Sequence, residues 1–326
     1  MLHTATRLQD GKVLVAGGYA NRAGISSCEL YDPATGLWSH TGDLAFPRFY
    51  HTATLLPDGK VLVAGGFNNP YTVYSSCELY DPATGQWSPT GTMSNARYIH
   101  TATLLPNGIV LAAGGLGEGS EISSCELYDP TTGNWTTTGN LHFSREGHTA
   151  TLLPKNRVLV AGGTGGPTGG LLGSAEVYDM ARGKWRVKGS LQHARFAHQA
   201  TLLPDGTVLT EGGSDFVDDE IASAELYDPI TGSWSDTGSL AQGRGYHTAT
   251  LLPTGLVIVT GGQTATDILA STELYDPRRH TWKAAGSLNV ARTTCAAALL
   301  RDGRVLVSGG LGDSTLESAE VFGRTP

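Results

Sequence analysis

Charge is scarce in this chain of 326 residues: 16% of its side chains are Asp, Glu, Lys or Arg, and the formal net charge is -8. An acidic surplus leaves no basic surface to exchange counterions with nucleic acid or an anionic membrane, so neither is expected as a partner. Long apolar runs are missing too. No stretch approaches the roughly 18 apolar residues of a spanning helix, and Met1 runs into strand-like sequence without a charged-then-apolar leader. A soluble chain is therefore expected, cytoplasmic or trimmed from an exported precursor. Cysteine is limited to four residues. Cys28, Cys77 and Cys125 occupy one repeated phrase, Ser-Ser-Cys-Glu-Leu-Tyr-Asp-Pro, where later copies carry Ala175, Ala224, Thr272 and Ala319. They read as small core fillers, too far apart on successive repeats to form disulfides.

Glycine, by contrast, is abundant, with 44 residues, and it is periodic. Doublets begin at Gly17, Gly65, Gly114, Gly162, Gly212, Gly261 and Gly309, and tryptophans follow at Trp38, Trp87, Trp135, Trp185, Trp234 and Trp282. One unit reads Arg48-Phe-Tyr-His-Thr-Ala-Thr-Leu-Leu, Pro57-Asp-Gly, Lys60-Val-Leu-Val-Ala-Gly-Gly, a loop, Ser76-Cys-Glu-Leu-Tyr-Asp-Pro-Ala-Thr-Gly and Gln86-Trp-Ser. It predicts four short strands, a to d, with tight a–b and c–d turns in which proline presets φ and glycine accepts a positive value. Asn156 and His280 stand where other repeats have those glycines, and both types tolerate the left-handed region better than most. Strands such as Val61–Ala64 are apolar on both sides, as expected of sheets packed between neighbours.

These phrases resemble the bacterial kelch-repeat proteins over essentially the whole chain. The resemblance implies an all-β fold, a seven-bladed kelch-type β-propeller of one unit, with blades near 1–47, 48–96, 97–144, 145–194, 195–243, 244–291 and 292–326. The last blade ends at Glu320-Val-Phe without a tryptophan strand, so it is expected to be three-stranded. Face contact between the last and first blades is then expected to close the ring.

A residue present in every repeat serves shared geometry, and one that breaks the pattern is free to serve a ligand. His3, His51, His100, His148, His198 and His247 share one position and read as an inter-blade hydrogen bond rather than a metal ring. Arg48 and its five counterparts read as donors to backbone carbonyls. The variable residues lie on the b–c loops and d–a junctions, and loops on a rigid scaffold are where binding residues concentrate. Phe49, Tyr50, Tyr98, Glu146, Phe196 and Tyr246 are expected to rim the channel there, with Tyr19, Phe67, Tyr71 and Tyr74 beside them and Arg22 in an adjoining loop. Glu211 breaks a run of small residues before the doublets, so desolvation is expected to raise its pKa toward acid–base range unless Arg195 or Arg244 pairs with it. Asp215 opens an acidic loop through Asp218, Asp219 and Glu220. Its spacing fits no calcium loop.

The Arg-x-Tyr-His stretches at Arg48–His51 and Arg244–His247 are similar to those supplying copper ligands in galactose and glyoxal oxidases. Those enzymes also use a cysteine–tyrosine cross-link and a histidine from a further domain, whereas Cys295 here faces Leu2. Kelch nitrile-specifier proteins use a Glu-x-x-x-Asp-x-x-x-His iron motif; Glu211 and Asp215 match its start, but Asp219 stands at the third place. No metal or other cofactor is expected. Two functions follow. The first is a monomeric module binding a small molecule or a protein at the channel mouth. The alternative is a cofactor-free lyase, isomerase or cyclase in which Glu211 moves a proton while Tyr50 and Tyr246 orient the substrate.

Overall fold

The computed structural model describes residues 1–215 and 220–323. Among them there is no helix, and the strands form four-stranded antiparallel meanders. The first contains Thr4–Arg7, Val13–Ala16, Cys28–Asp32 and Leu37–His40. Five more follow the same order, and the last, Ala296–Leu299, Val305–Ser308 and Ala319–Phe322, has three strands among the described residues. Each innermost strand lies beside those of the neighbouring sheets, and Thr4–Arg7 lies beside Ala296–Leu299, which closes the ring. The chain is a kelch-type β-propeller.

Local chemistry sets the turns. Asn156 and His280 take φ of 55° and 54°, so the two non-glycine turns keep the left-handed backbone their glycine counterparts use. The doublets answer a tertiary constraint: a Cβ on Gly17 would lie 2.6 Å from the carbonyl oxygen of Arg48 in the next sheet.

The core is a set of layers between sheets. Leu8, Leu14, Ala16 and Cys28 of the first sheet meet Val61, Val63 and Tyr80 of the second, with Trp87 packed against them. Each tryptophan lies 5.0–5.1 Å from the tyrosine opposite it on strand c, and Trp87 Nε1 donates to Gly42 O at 2.8 Å across the seam. All four cysteines are free. The last-to-first seam uses the same devices: Val13 and Tyr31 pack on Ala298, Leu300 and Leu306, and Arg7 donates to Leu299 O at 2.8 Å.

One polar network recurs in six sheets. Arg48, Arg97, Arg145, Arg195, Arg244 and Arg292 are 0% exposed, and each guanidinium donates to a doublet carbonyl and to the glutamate of its sheet's third strand. Arg97, for example, reaches Gly114 O at 2.9 Å and Glu126 Oε1 at 2.8 Å. Glu126 then accepts the Ser94 and Asn95 N–H groups of the preceding junction, so one ion pair ties strands b and c to the d–a connection.

Candidate functional site at the channel mouth

Seven residues with φ between 51° and 59° ring the channel: Leu2, Tyr50, Ile99, Gly147, Ala197, Tyr246 and Thr294. Their backbones form a collar. Tyr50 N–H donates to Leu2 O at 3.3 Å, Ile99 to Tyr50 at 3.2 Å, Tyr246 to Ala197 at 3.0 Å and Thr294 to Tyr246 at 3.0 Å, while Leu2 N–H to Thr294 O at 3.2 Å crosses the closing seam. The left-handed backbone is unfavourable for Leu, Tyr and Ile, by about 1 kcal/mol or more each, and these inter-sheet bonds offset it. A rigid ring thus holds the variable side chains.

Most of the rim residues read from the sequence are brought together. Tyr19 lies edge-on to Phe49 at 4.9 Å, Phe49 contacts Phe67 at 5.4 Å and Tyr50 at 5.5 Å, and Phe67 reaches Tyr98 at 5.0 Å, a continuous aromatic arc over the first three sheets. Tyr50 and Tyr98 are 6.3 Å apart, and Phe196 and Tyr246 form a second pair at 6.1 Å. Tyr71 and Tyr74 stand apart from this arc: Tyr71 is 89% exposed, and Tyr74 stacks over the Arg48 guanidinium at 4.8 Å. Arg22 is exposed at the tip of the Tyr19–Gly24 hairpin, where its carbonyl accepts Asn69 Nδ2 at 3.1 Å.

Glu146 is a carboxylate of this mouth. Backbone pairing with Thr164 holds it, and the Thr164 hydroxyl donates to Oε1 at 3.3 Å, while Oε2 is buried without a partner among the described residues. Burial pushes its pKa up, with Glu121 adding a smaller push. Tyr50 is pushed up to about 12, by burial first and then by Tyr246, Glu146 and Tyr98. Tyr98 and Tyr246 are raised by burial and then by the same carboxylate. The Glu146 carboxyl thus lies within electrostatic reach of the phenols of Tyr50, Tyr98 and Tyr246, and Glu220 acts on Tyr246 as well.

Glu211 lies elsewhere. It is 0% exposed, and its carboxyl sits 4.0 Å from His247 Nε2 in the seam between the fifth and sixth sheets. Neither of its oxygens has a hydrogen-bond partner among the described residues, and burial raises its pKa well above 4.5, with Arg195 opposing. The other seams explain the position. His51, His100, His148 and His198 each place Nε2 at 3.0–3.1 Å from a threonine hydroxyl of the preceding sheet, and burial keeps the rings neutral, His148 down to about 3. At His3 that threonine is Ala296, and Ser308, one of the residues preceding a doublet, supplies the hydroxyl at 2.9 Å. At His247 the threonine is Gln199, and Glu211 is the residue preceding the doublet. In two sheets both positions change together, Gln199 with Glu211 and Ala296 with Ser308, a signal the sequence carries, while Thr260 changes alone beside Thr248 in the seam where Cys295 replaces the histidine.

Asp215 follows Ser214, which bridges to Phe196 and Glu220 at the rim's edge; Phe216, Val217, Asp218 and Asp219 lie outside the described residues. Among the described residues, no group of three or more His, Cys, Asp and Glu side chains could hold a metal ion. The Arg-x-Tyr-His stretches do not form a common ligand set, since Tyr50 stacks at the mouth while His51 turns to Thr4 in the seam. No helix among the described residues is long and apolar enough to cross a membrane. A cavity on the opposite face, lined by Asp205, Gly255 and Arg278, is built from the repeated turns.

Comparison with solved structures finds a fungal alcohol oxidase of the AA5 family, in complex with copper, at a TM-score of 0.79 and 19% identity, covering 96% of this chain and 72% of that one. At that identity the likeness is one of fold. No curated protein matches the sequence. The Kelch motif model matches residues 244–289, and the KLHDC2/KLHL20/DRC7 Kelch-repeats domain model matches residues 2–213, well over half the chain. This chain belongs to that kelch-repeat family.

Proposed function

We propose that the chain acts as one unit and binds, at the channel mouth, a small molecule with a cationic nitrogen on an apolar body. The observation that carries this reading is Glu146: a carboxylate with one oxygen unpartnered, among Tyr50, Tyr98 and Tyr246. Electron-rich ring faces and an unsatisfied carboxylate both favour a cation, and a desolvated setting strengthens each attraction. An apolar arc from Tyr19 to Phe67 suits the ligand's body. A protein partner presenting a lysine or arginine side chain would meet the same groups.

Calorimetric titration with benzyltrimethylammonium, whose charge is independent of pH, tests the reading. Affinity is expected to rise with pH as the raised Glu146 carboxyl ionises. Glu146→Gln should weaken binding about tenfold and flatten that dependence, in line with ~1.5 kcal/mol for a charged contact. Binding unchanged in Glu146→Gln, or no binding to the parent chain, would defeat the proposal.

A second reading makes the protein a cofactor-free lyase, isomerase or cyclase, and what favours it is the proton-holding Glu211 carboxyl beside His247. Both groups are buried in the seam, so the seam would have to open for a substrate to reach them. Glu211→Gln keeps shape and loses titration; abolished turnover with retained affinity would establish this reading over the first.

A further inference from the structure

The aromatic arc of the mouth is built by one contact that recurs from sheet to sheet: the residue after a glycine doublet meets the residue after the next sheet's arginine. Tyr19 meets Phe49 at 4.9 Å and Phe67 meets Tyr98 at 5.0 Å in this way. Between the sixth and seventh sheets the same two places carry Gln263 and Thr293, and the contact becomes a hydrogen bond, Thr293 Oγ1 donating to Gln263 Oε1 at 3.1 Å. The rim is aromatic over the first sheets and polar here.

The bond fixes which end of the amide faces outward. Thr293 is 1% exposed, and its hydroxyl has a single proton, which goes to Oε1. Gln263 itself is half-buried, and its Nε2, with two protons, has no acceptor among the described residues and stays open to solvent. Main-chain geometry keeps the other flank clear. Gln263 and Gly245 exchange both backbone bonds at 3.0 Å, and Gly245 stands where Phe49, Tyr98 and Phe196 stand in other junctions. Its φ lies outside the left-handed region, so the backbone does not demand glycine there. What glycine provides is room beside the amide, bounded by Glu220, whose Cγ would lie 3.3 Å from a Cβ at that place.

An amide held by its oxygen offers donors alone, so it seats an acceptor. The neighbouring charges decide the kind of acceptor. Tyr246, which follows Gly245, feels the carboxylates of both Glu146 and Glu220. A ligand carboxylate beside Gln263 would be repelled by them, whereas a neutral oxygen would not.

We propose, resting on the cation-binding reading above, that Gln263 held by Thr293 is a second seat of the mouth, and that the ligand carries a neutral carbonyl or hydroxyl oxygen on the body attached to its cationic nitrogen. Glu146 and the tyrosines take the charge, and Gln263 donates to the oxygen. A site built to bond an oxygen discriminates against the hydrocarbon analogue that lacks it.

Calorimetric titration of the intact chain with acetylcholine and with pentyltrimethylammonium, a chain of equal length without the ester, tests the second seat. Gln263→Leu should lower the affinity for acetylcholine relative to pentyltrimethylammonium about fivefold, the worth of one neutral hydrogen bond. Leucine occupies the same place at Leu116 and Leu311, so that variant keeps its fold. Thr293→Val, which frees the amide to turn, should shrink the ratio without weakening pentyltrimethylammonium. Glu146→Gln should weaken both cations alike and preserve the ratio, so the two seats fail separately. A ratio unchanged in Gln263→Leu overturns the proposal and leaves the cation seat standing. Binding of neither cation overturns both. Tighter binding of γ-butyrobetaine, whose chain ends in a carboxylate, than of acetylcholine would overturn the neutral acceptor and make Gln263 part of an anion seat.

Discussion

Replacing Gln199 by Thr together with Glu211 by Ala rebuilds, between the fifth and sixth sheets, the seam seen at His51, His100, His148 and His198. In the parent seam both Glu211 oxygens and both His247 nitrogens lack hydrogen bonds among the described residues. Each such buried group costs ~1–3 kcal/mol. The double variant removes the carboxyl and regains a threonine–histidine bond worth ~1 kcal/mol. Against this it loses the Gln199 Nε2 bond to His247 O at 3.0 Å, ~1 kcal/mol, and leaves space worth ~1–2 kcal/mol. The net expectation is a gain of about 2 kcal/mol at neutral pH, which for a chain of this size raises Tm by roughly 4 °C. The gain should depend on pH in a definite sense. A carboxyl whose folded pKa is raised contributes stability fully present below its unfolded value of 4.5 and lost as pH rises through the folded pKa. The parent loses that contribution as pH rises above 4.5 through the raised folded value and the variant does not, so the gap in Tm widens with pH. Titrations common to both chains cancel. Calorimetric scans of both proteins over that range provide the assay. A variant that melts lower throughout, or a gap independent of pH, would show that Glu211 has a partner and that the reasoning is wrong.

The arginine network predicts that Arg145→Leu, which leaves Glu176 buried without its guanidinium, lowers stability by ~3–5 kcal/mol in urea unfolding. The neutral seam histidines predict an acid transition in the opposite sense to Glu211. A base whose folded pKa is depressed to about 3 from 6.5 contributes stability that is present above 6.5 and lost as pH falls toward 3. His148→Gln, which keeps a partner for Thr101, should lessen the acid sensitivity in pH-dependent melts and leave benzyltrimethylammonium binding unchanged; a lost bound metal with an unchanged Tm would make the histidine ring a site instead.

Repetition made the strands, their turns and the two faces legible in one sequence, because those depend on contacts local in the chain or identical in every repeat. The positive φ at Asn156 and His280 and the gathering of Tyr50, Tyr98 and Tyr246 at the mouth belong to that class. What the sequence left open is settled by contacts between residues far apart along it. Arg48 and Glu78 recur in step, yet only the closed sheet shows that they pair rather than the arginine serving carbonyls alone. Glu146 and Glu211 are both anomalies in the repeat; the junction position of Glu146 places it on the rim in the sequence, whereas nothing in the local sequence says where the Glu211 carboxyl turns. The collar turns the first toward three phenols, while the second, on the strand leading to the doublet, turns toward His247 because Gln199 has displaced the threonine that would otherwise meet that ring.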